Sequence, residues 1–251
     1  MTPAKVAVSL GLITVSLVAA NLFGLFMKYF LNHDYVYGLI PLFDLDREQN
    51  IPTLFSTSLL LISCALLAII WHIQREAHRI HLPWLFLAAI FCFLAVDEFT
   101  ALHEHLAEPV RITLGGSWVP PWALPYGWFI PYVWVIPYGL AVLFLSVVYA
   151  RLIWNLKSKI RVLFLLSAAT YVVGALGFEL LGAWWYETKS GEEDFVYSLI
   201  YTGEETLEMV GLVLFIYSLM VFIQLDHQGL LVEMPSLLLE SGHEASGPGR
   251  T

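Results

Sequence analysis

Acidic residues and histidines occur inside stretches of this sequence that are otherwise strongly apolar. An Asp-Glu-x4-His-Glu-His motif runs from Asp97 to His105, and a Glu-Glu-x-x-Glu motif runs from Glu204 to Glu208. Seven acids lie in such stretches, namely Asp97, Glu98, Glu104, Glu179, Glu204, Glu205 and Glu208. Carboxylates combined with imidazole and no thiolate are typical ligands of iron, manganese or zinc, whereas an all-oxygen subset suits calcium or magnesium. These residue types therefore predict a metal site.

The composition places this cluster in a membrane. Of the 251 residues, 59% are apolar and 13% are charged, and a spanning helix needs about 20 mostly apolar residues. Six segments meet this requirement: 6–29, 52–71, 83–107, 129–154, 161–184 and 195–224. The sequence thus predicts an all-α polytopic membrane protein, with a six-helix bundle over residues 1–224 and a disordered cytoplasmic tail over residues 225–251. The first segment is interpreted as an uncleaved helix rather than a cleaved signal, because its apolar run continues to Phe30.

Basic residues in the short connections predict the orientation. The connections at 72–82 and 151–161 carry Arg75, Arg79, Arg151, Lys157, Lys159 and Arg161. Such loops are cytoplasmic under the positive-inside rule. Both termini are therefore predicted to be cytoplasmic, in an integral protein of a bacterial cytoplasmic membrane whose site lies toward the periplasmic side.

Helical geometry predicts that three spans deliver their acids to one layer. At 1.5 Å per residue, the acids of spans three, five and six lie about 21 to 32 Å from the inner face. Tyr201, Glu204 and Glu208 share one face of span six with Glu205. Asp97, Glu98, Glu104 and His105 fall within an arc of about 120° on span three, from which His103 is displaced. The three polar faces can therefore meet in one interior.

Charge repulsion requires positive charge in that interior. Two carboxylates about 6 Å apart repel by roughly 3 kcal/mol at an effective dielectric near 20, and no lysine or arginine lies on the three faces. Bound cations or shared protons can supply this charge. One or two divalent ions of iron, manganese or zinc are predicted, with the ligands Glu98, Glu104, His105, Glu179, Glu205 and Glu208. Residues predicted to orient these ligands or relay protons are Asp97, His103, Tyr201 and Glu204.

The alternative to a metal site is a set of protonated acids that hydrogen-bond between helices. The Glu-x-x-His signature of carboxylate-bridged metal pairs in helical bundles is absent from every predicted span. Asn21 is interpreted as forming an interhelical hydrogen bond, and Cys64 and Cys92 as packing residues. The proline- and tryptophan-rich segment 109–137 is interpreted as an interfacial aromatic belt in preference to a lid.

Three functions remain open from the sequence. The favoured one is a metalloenzyme, an oxidoreductase or a hydrolase, that acts on a lipid, a quinone or another hydrophobic substrate. The second is a transporter or exchanger of divalent cations or protons. The third is a non-catalytic subunit of a larger membrane complex, with membrane protein partners. Basic residues are too few and scattered for nucleic-acid binding.

Overall fold

The computed structural model describes residues 2–102 and 135–244, and all regular structure within them is helical. A short 3-10 turn spans Val36–Gly38, and a π-helical segment spans Val173–Phe178. The helices are α1 (Pro3–Leu31), α2 (Leu39–Phe43), α3 (Ile51–Glu76), α4 (Leu82–Thr100), α5 (Val135–Trp154), α6 (Ser158–Val172), α7 (Glu179–Thr188) and α8 (Phe195–Glu244).

Six helical stretches of the described chain are long and apolar enough to cross a membrane. They are Pro3–Leu31, Ile51–Glu76, Leu82–Thr100, Pro137–Trp154, Ser158–Tyr186 and Phe195–Asp226. The predicted all-α architecture with six membrane-spanning helices is confirmed at this level. The predicted segment 109–137 lies almost wholly outside the described residues.

The third span is shorter than the sequence predicted. α4 ends at Thr100, and Ala101 is left-handed with φ 48° and donates its backbone N–H to the carbonyl of Asp97. A left-handed residue stops an α-helix. The single helix predicted to continue to residue 107 is therefore wrong. The arc calculated for Glu104 and His105 assumed that continuous helix, and both residues lie outside the described part of the chain, as does His103.

The last helix differs from the prediction in the other direction. Its backbone is helical as far as Glu244, whereas a disordered tail was predicted from residue 225. At its start, Asp194 accepts hydrogen bonds from the backbone N–H of Tyr197 and from Nε1 of Trp185, both at 2.8 Å. The Tyr197 bond in particular lowers the pKa of the Asp194 carboxyl. Asp194 thus fixes where α8 begins.

α8 forms the centre of the bundle. Half of its most apolar stretch is buried among the described residues, against 6% for α5. One apolar core combines Leu59 and Leu60 of α3 with Met209 and Ile216 of α8. A second core lies nearer the α3–α4 connection and contains Leu67, Ile70, Trp84, Phe164 and Leu219. α5 is therefore peripheral to a bundle organised around α8.

Two glycines allow the α6–π segment to lie directly against α8. A Cβ atom on Gly174 would lie 2.9 Å from the carbonyl oxygen of Glu204, and one on Gly211 would lie 2.8 Å from the backbone nitrogen of Tyr171. Small residues permit this kind of close helix approach in membranes. The backbones that carry Glu179 and Glu204 are thereby held together.

Gly211→Ala is expected to destabilise the protein by about 1 to 3 kcal/mol, because the added methyl group meets backbone atoms that cannot rotate away. The thermal unfolding temperature of the purified protein in detergent measures this effect. Gly11→Ala is the matched control, since nothing lies within 4 Å of its Cβ position. Equal unfolding temperatures for the two variants would contradict the close approach of α6 and α8.

Candidate functional site

A cavity of about 700 Å³ lies among α4, α5, the α6–π–α7 span and α8, and the connection between α2 and α3 borders it. Eight acidic side chains of the described chain line it, namely Asp46, Glu48, Asp97, Glu98, Glu179, Glu204, Glu205 and Glu208. Tyr201 lines it as well. The structure therefore brings together seven of the ten residues that the sequence predicted for the site. The other three, His103, Glu104 and His105, lie outside the described residues.

α8 supplies the largest group of acids. Its helix is regular through this region, so these acids share one face. The side chains at 201, 204, 205 and 208 all face the cavity, as a spacing of three and four residues requires. The charges that act on Glu205 come from Glu208 and Glu98, and from the loop acids Glu48 and Asp46. Glu205 is thus at the meeting point of three chain segments.

Glu179 reaches the same cavity from the wall next to α8. It is the first residue of α7 and directly follows the π-helical segment. π-helical turns occur often at functional sites because they change the direction of the side chains that follow. Glu179 interacts with Glu204 across the contact that Gly174 permits. A helical interruption and a glycine together place this carboxylate.

Tyrosine hydroxyls accompany the acids. Tyr138 of α5 donates to Oδ2 of Asp97 at 2.8 Å, and Asp97 is 5% exposed. Tyr171 lies beside Glu208. Tyr201 donates to Oδ1 of Asp44 at 3.2 Å. A tyrosine hydroxyl can both hold a carboxylate in place and pass on a proton.

The connection between α2 and α3 adds residues that the sequence interpretation missed. Asp46 and Glu48 lie in this connection and line the cavity. Asn21 of α1 holds this loop, because its Oδ1 accepts from the backbone N–H of Leu45 at 3.2 Å and its Nδ2 donates to Oγ1 of Thr202 at 2.8 Å. The predicted interhelical hydrogen bond of Asn21 is confirmed. The acidity of a short loop at the same end of the bundle as the site was the available signal.

The cavity carries a large excess of acidic groups. Among the described lining residues, eight acids face one basic side chain, that of Arg47. Arg47 lies 3.6 Å from Asp44, and its side chain is 64% exposed. It therefore compensates little of the charge deeper inside. Like charges about 6 Å apart repel by roughly 3 kcal/mol per pair, and bound cations or shared protons would relieve such repulsion.

The described residues contain no group of three or more His, Cys, Asp or Glu side chains already arranged to hold a metal ion. The ligand roles assigned to Glu98, Glu179, Glu205 and Glu208 stay predictions.

The profile of one protein family, described as Domain of unknown function (DUF8692), matches residues 10–222. The chain belongs to the DUF8692 family. The DUF8692 match extends from α1 into the second half of α8 and therefore covers every acidic residue that lines the cavity. Neither the search of curated proteins nor the search of solved structures found a match. Family membership places the cavity within the DUF8692 unit.

Proposed function

We propose that this protein is a membrane-embedded metalloenzyme that acts on a hydrophobic substrate. The observation that carries the proposal is the cavity, in which eight acids and one arginine of the described chain face each other among transmembrane helices. Carboxylates within a membrane are costly unless they are paired, protonated or metal-bound. One or two divalent ions of iron, manganese or zinc would offset part of this acidity.

Glu98, Glu179, Glu205 and Glu208 are the proposed ligands within the described chain, together with Glu104 and His105 outside it. A metal ion bound here would polarise a substrate oxygen, activate water or exchange electrons, depending on its identity. Asp97 and Glu204 lie next to these residues and would orient them or move protons. The hydroxyl of Tyr138 donates a hydrogen bond to Asp97 and would hold this carboxylate in place.

The apolar part of the cavity lining supports a hydrophobic substrate. Apolar side chains from three helices, including Phe93, Leu145 and Leu176, form the walls beside the acids. A mostly apolar pocket with a few convergent polar groups is the usual form of a small-molecule site. A lipid, a quinone or another lipophilic molecule would fit this combination.

An enzyme is favoured over a transporter because of what lies beyond the cavity. Toward the α3–α4 connection, the described bundle is filled by the apolar core of Leu67, Ile70, Trp84, Phe164 and Leu219. Ion transport needs a polar path to both surfaces. A site closed off toward one end of the bundle suits catalysis better.

Metal analysis of the purified protein tests the proposal. We expect one or two equivalents of iron, manganese or zinc per chain after purification without chelators. Absence of all three metals at stoichiometric amounts would refute the metalloenzyme. Flux of a divalent cation into liposomes, abolished by Glu205→Gln, would instead support the transporter.

We also propose that both termini are cytoplasmic and that the cavity faces the periplasm of a bacterium, as the positively charged α3–α4 and α5–α6 connections favour. In a chain with both native cysteines replaced by alanine, Glu192→Cys should react with a membrane-impermeant maleimide in intact cells. Ser158→Cys should react after the cells are opened. Both positions are exposed, so the reverse pattern would refute this orientation.

A further inference from the structure

A second cavity, of about 650 Å³, lies between α4 and α5 and is almost entirely apolar. Phe86, Ala89 and Phe93 form its α4 wall, and Phe144 and Val148 contribute to its α5 wall. We call this space the α4–α5 groove. Several of its large side chains are strongly exposed among the described residues, with Phe86 at 64% and Phe144 at 67%. The groove therefore presents apolar surface to whatever fills it.

The groove is continuous with the acid-lined cavity. Ile90, Phe93, Phe144 and Leu145 line both spaces. On α4, the residues at 82, 86, 93 and 97 fall within an arc of about 60° at 100° per residue. A single stripe of this helix thus runs from an apolar end at Leu82 to the carboxylate of Asp97.

Two tyrosines hold α5 across this space. The hydroxyl of Tyr138 donates to Asp97 at the cavity end, and the hydroxyl of Tyr149 donates to the carbonyl of Pro83 at the other end, both at 2.8 Å. Between these bonds α5 is poorly buried. The helix is thus fastened at both ends of a gap that its own side chains do not close.

Resting on the function proposed above, we propose that the α4–α5 groove holds the hydrocarbon chain of a membrane amphiphile whose polar head reaches the carboxylates. From Leu82 to Phe93 the groove is about 16 Å long at 1.5 Å per residue. This length is about half the 30 Å hydrocarbon core of a bilayer, so a chain in the groove extends from the carboxylates toward the α3–α4 side of the membrane. The substrate then enters sideways from the lipid and keeps its chain in apolar surroundings.

The charge of the cavity defines the head group. Eight acids and one arginine in the described lining give a net charge of −7 when all the acids are ionised. One or two bound dications reduce it to −5 or −3, so the cavity still repels an anionic head and attracts a cationic one. The amphiphile is therefore a long-chain molecule with a cationic amine head rather than a carboxylate or a phosphate.

Photolabelling tests this inference in the full-length protein, reconstituted in lipid nanodiscs. The probes are a long-chain alkyl amine and the fatty acid of equal length, each with a diazirine in mid-chain, and mass spectrometry locates the labels. We expect the amine to label Phe86, Phe93, Phe144 and Val148 in preference to other lipid-facing residues. The fatty acid should label these positions weakly.

Ala89→Trp fills the groove and is expected to reduce this labelling by about ten-fold. Ala150→Trp is the matched control, since Ala150 is an exposed residue of α5 outside the groove. Val148→Trp fills the groove from the other wall and serves if the first variant does not fold. Labelling that spreads over all lipid-facing residues, that is unchanged in both groove variants, or that is equal for the two probes would overturn the inference.

The metal content of the same samples separates this inference from the proposed function. Labelling confined to the groove in protein without metal would leave the groove assignment standing and refute the metalloenzyme. Stoichiometric metal with unspecific labelling would do the opposite.

Discussion

Replacing Glu205 and Glu208 together by glutamine is expected to lower bound metal from one or two ions per chain to nearly none. The two carboxylates lie one helical turn apart on the cavity face of α8, and Glu98 approaches both of them. Glutamine has the same shape but no charge, so it loses most of the attraction to a dication. Elemental analysis of the purified variant measures the loss.

The same double variant should respond differently once metal has been removed. In chelator-treated protein it should unfold at a higher temperature than the wild type, because it removes two of the carboxylates that repel each other by roughly 3 kcal/mol per pair. Glu192→Gln with Glu193→Gln is the matched control, since it removes two acids from the exposed α7–α8 connection. Equal metal content in the two double variants would contradict the ligand assignment. A lower unfolding temperature of the chelated Glu205 and Glu208 variant would instead favour protonated acids that stabilise the bundle.

Asn21→Leu is expected to destabilise the protein and to detach the loop that carries Asp46 and Glu48. Asn21 is 2% exposed and connects the backbone of Leu45 to Thr202 on α8. Leucine can replace neither bond. Each buried polar group left without a partner costs about 1 to 3 kcal/mol. Thermal unfolding measures the stability, and protease cleavage within residues 44–50 measures the detachment.

Thr14→Val is the control for this substitution. Thr14 is also 2% exposed and lies on α1, but its hydroxyl donates within the same helix to the carbonyl of Leu10. Its replacement should change unfolding little and leave the loop protected. Equal loss of stability in both variants, with no change in cleavage, would show that Asn21 does not hold the loop.

The sequence predicted those features that depend on regular helices. Hydrophobic length was sufficient to locate six spans, because a membrane requires about 20 apolar residues for each. Depth and angle placed Asp97, Glu98, Glu179, Glu204 and Glu208 in one interior, because the helical rise is constant wherever a helix is uninterrupted. The cavity contains all five.

Features that depend on interruptions or on distant contacts were not predictable in this way. Left-handed helix ends are normally marked by glycine, and Ala101 gives no such signal. The loop that carries Asp46 is held by Asn21, which accepts from the backbone of Leu45. Asn21 in turn donates to Thr202, a residue 181 positions away in the sequence. Glu179 directly follows a π-helical segment that the sequence pattern did not predict. Local patterns do not encode these contacts.

X-ray diffraction recorded at the absorption edges of iron, manganese and zinc, from crystals of protein purified without chelators, locates any bound ion directly. We expect an anomalous peak inside the cavity, with carboxylate oxygens of Glu205 and Glu208 and at least one further acid at about 2.0 to 2.6 Å. A peak elsewhere in the protein would contradict the proposed metal centre. Cavity carboxylates that hydrogen-bond to one another with no peak between them would contradict it as well.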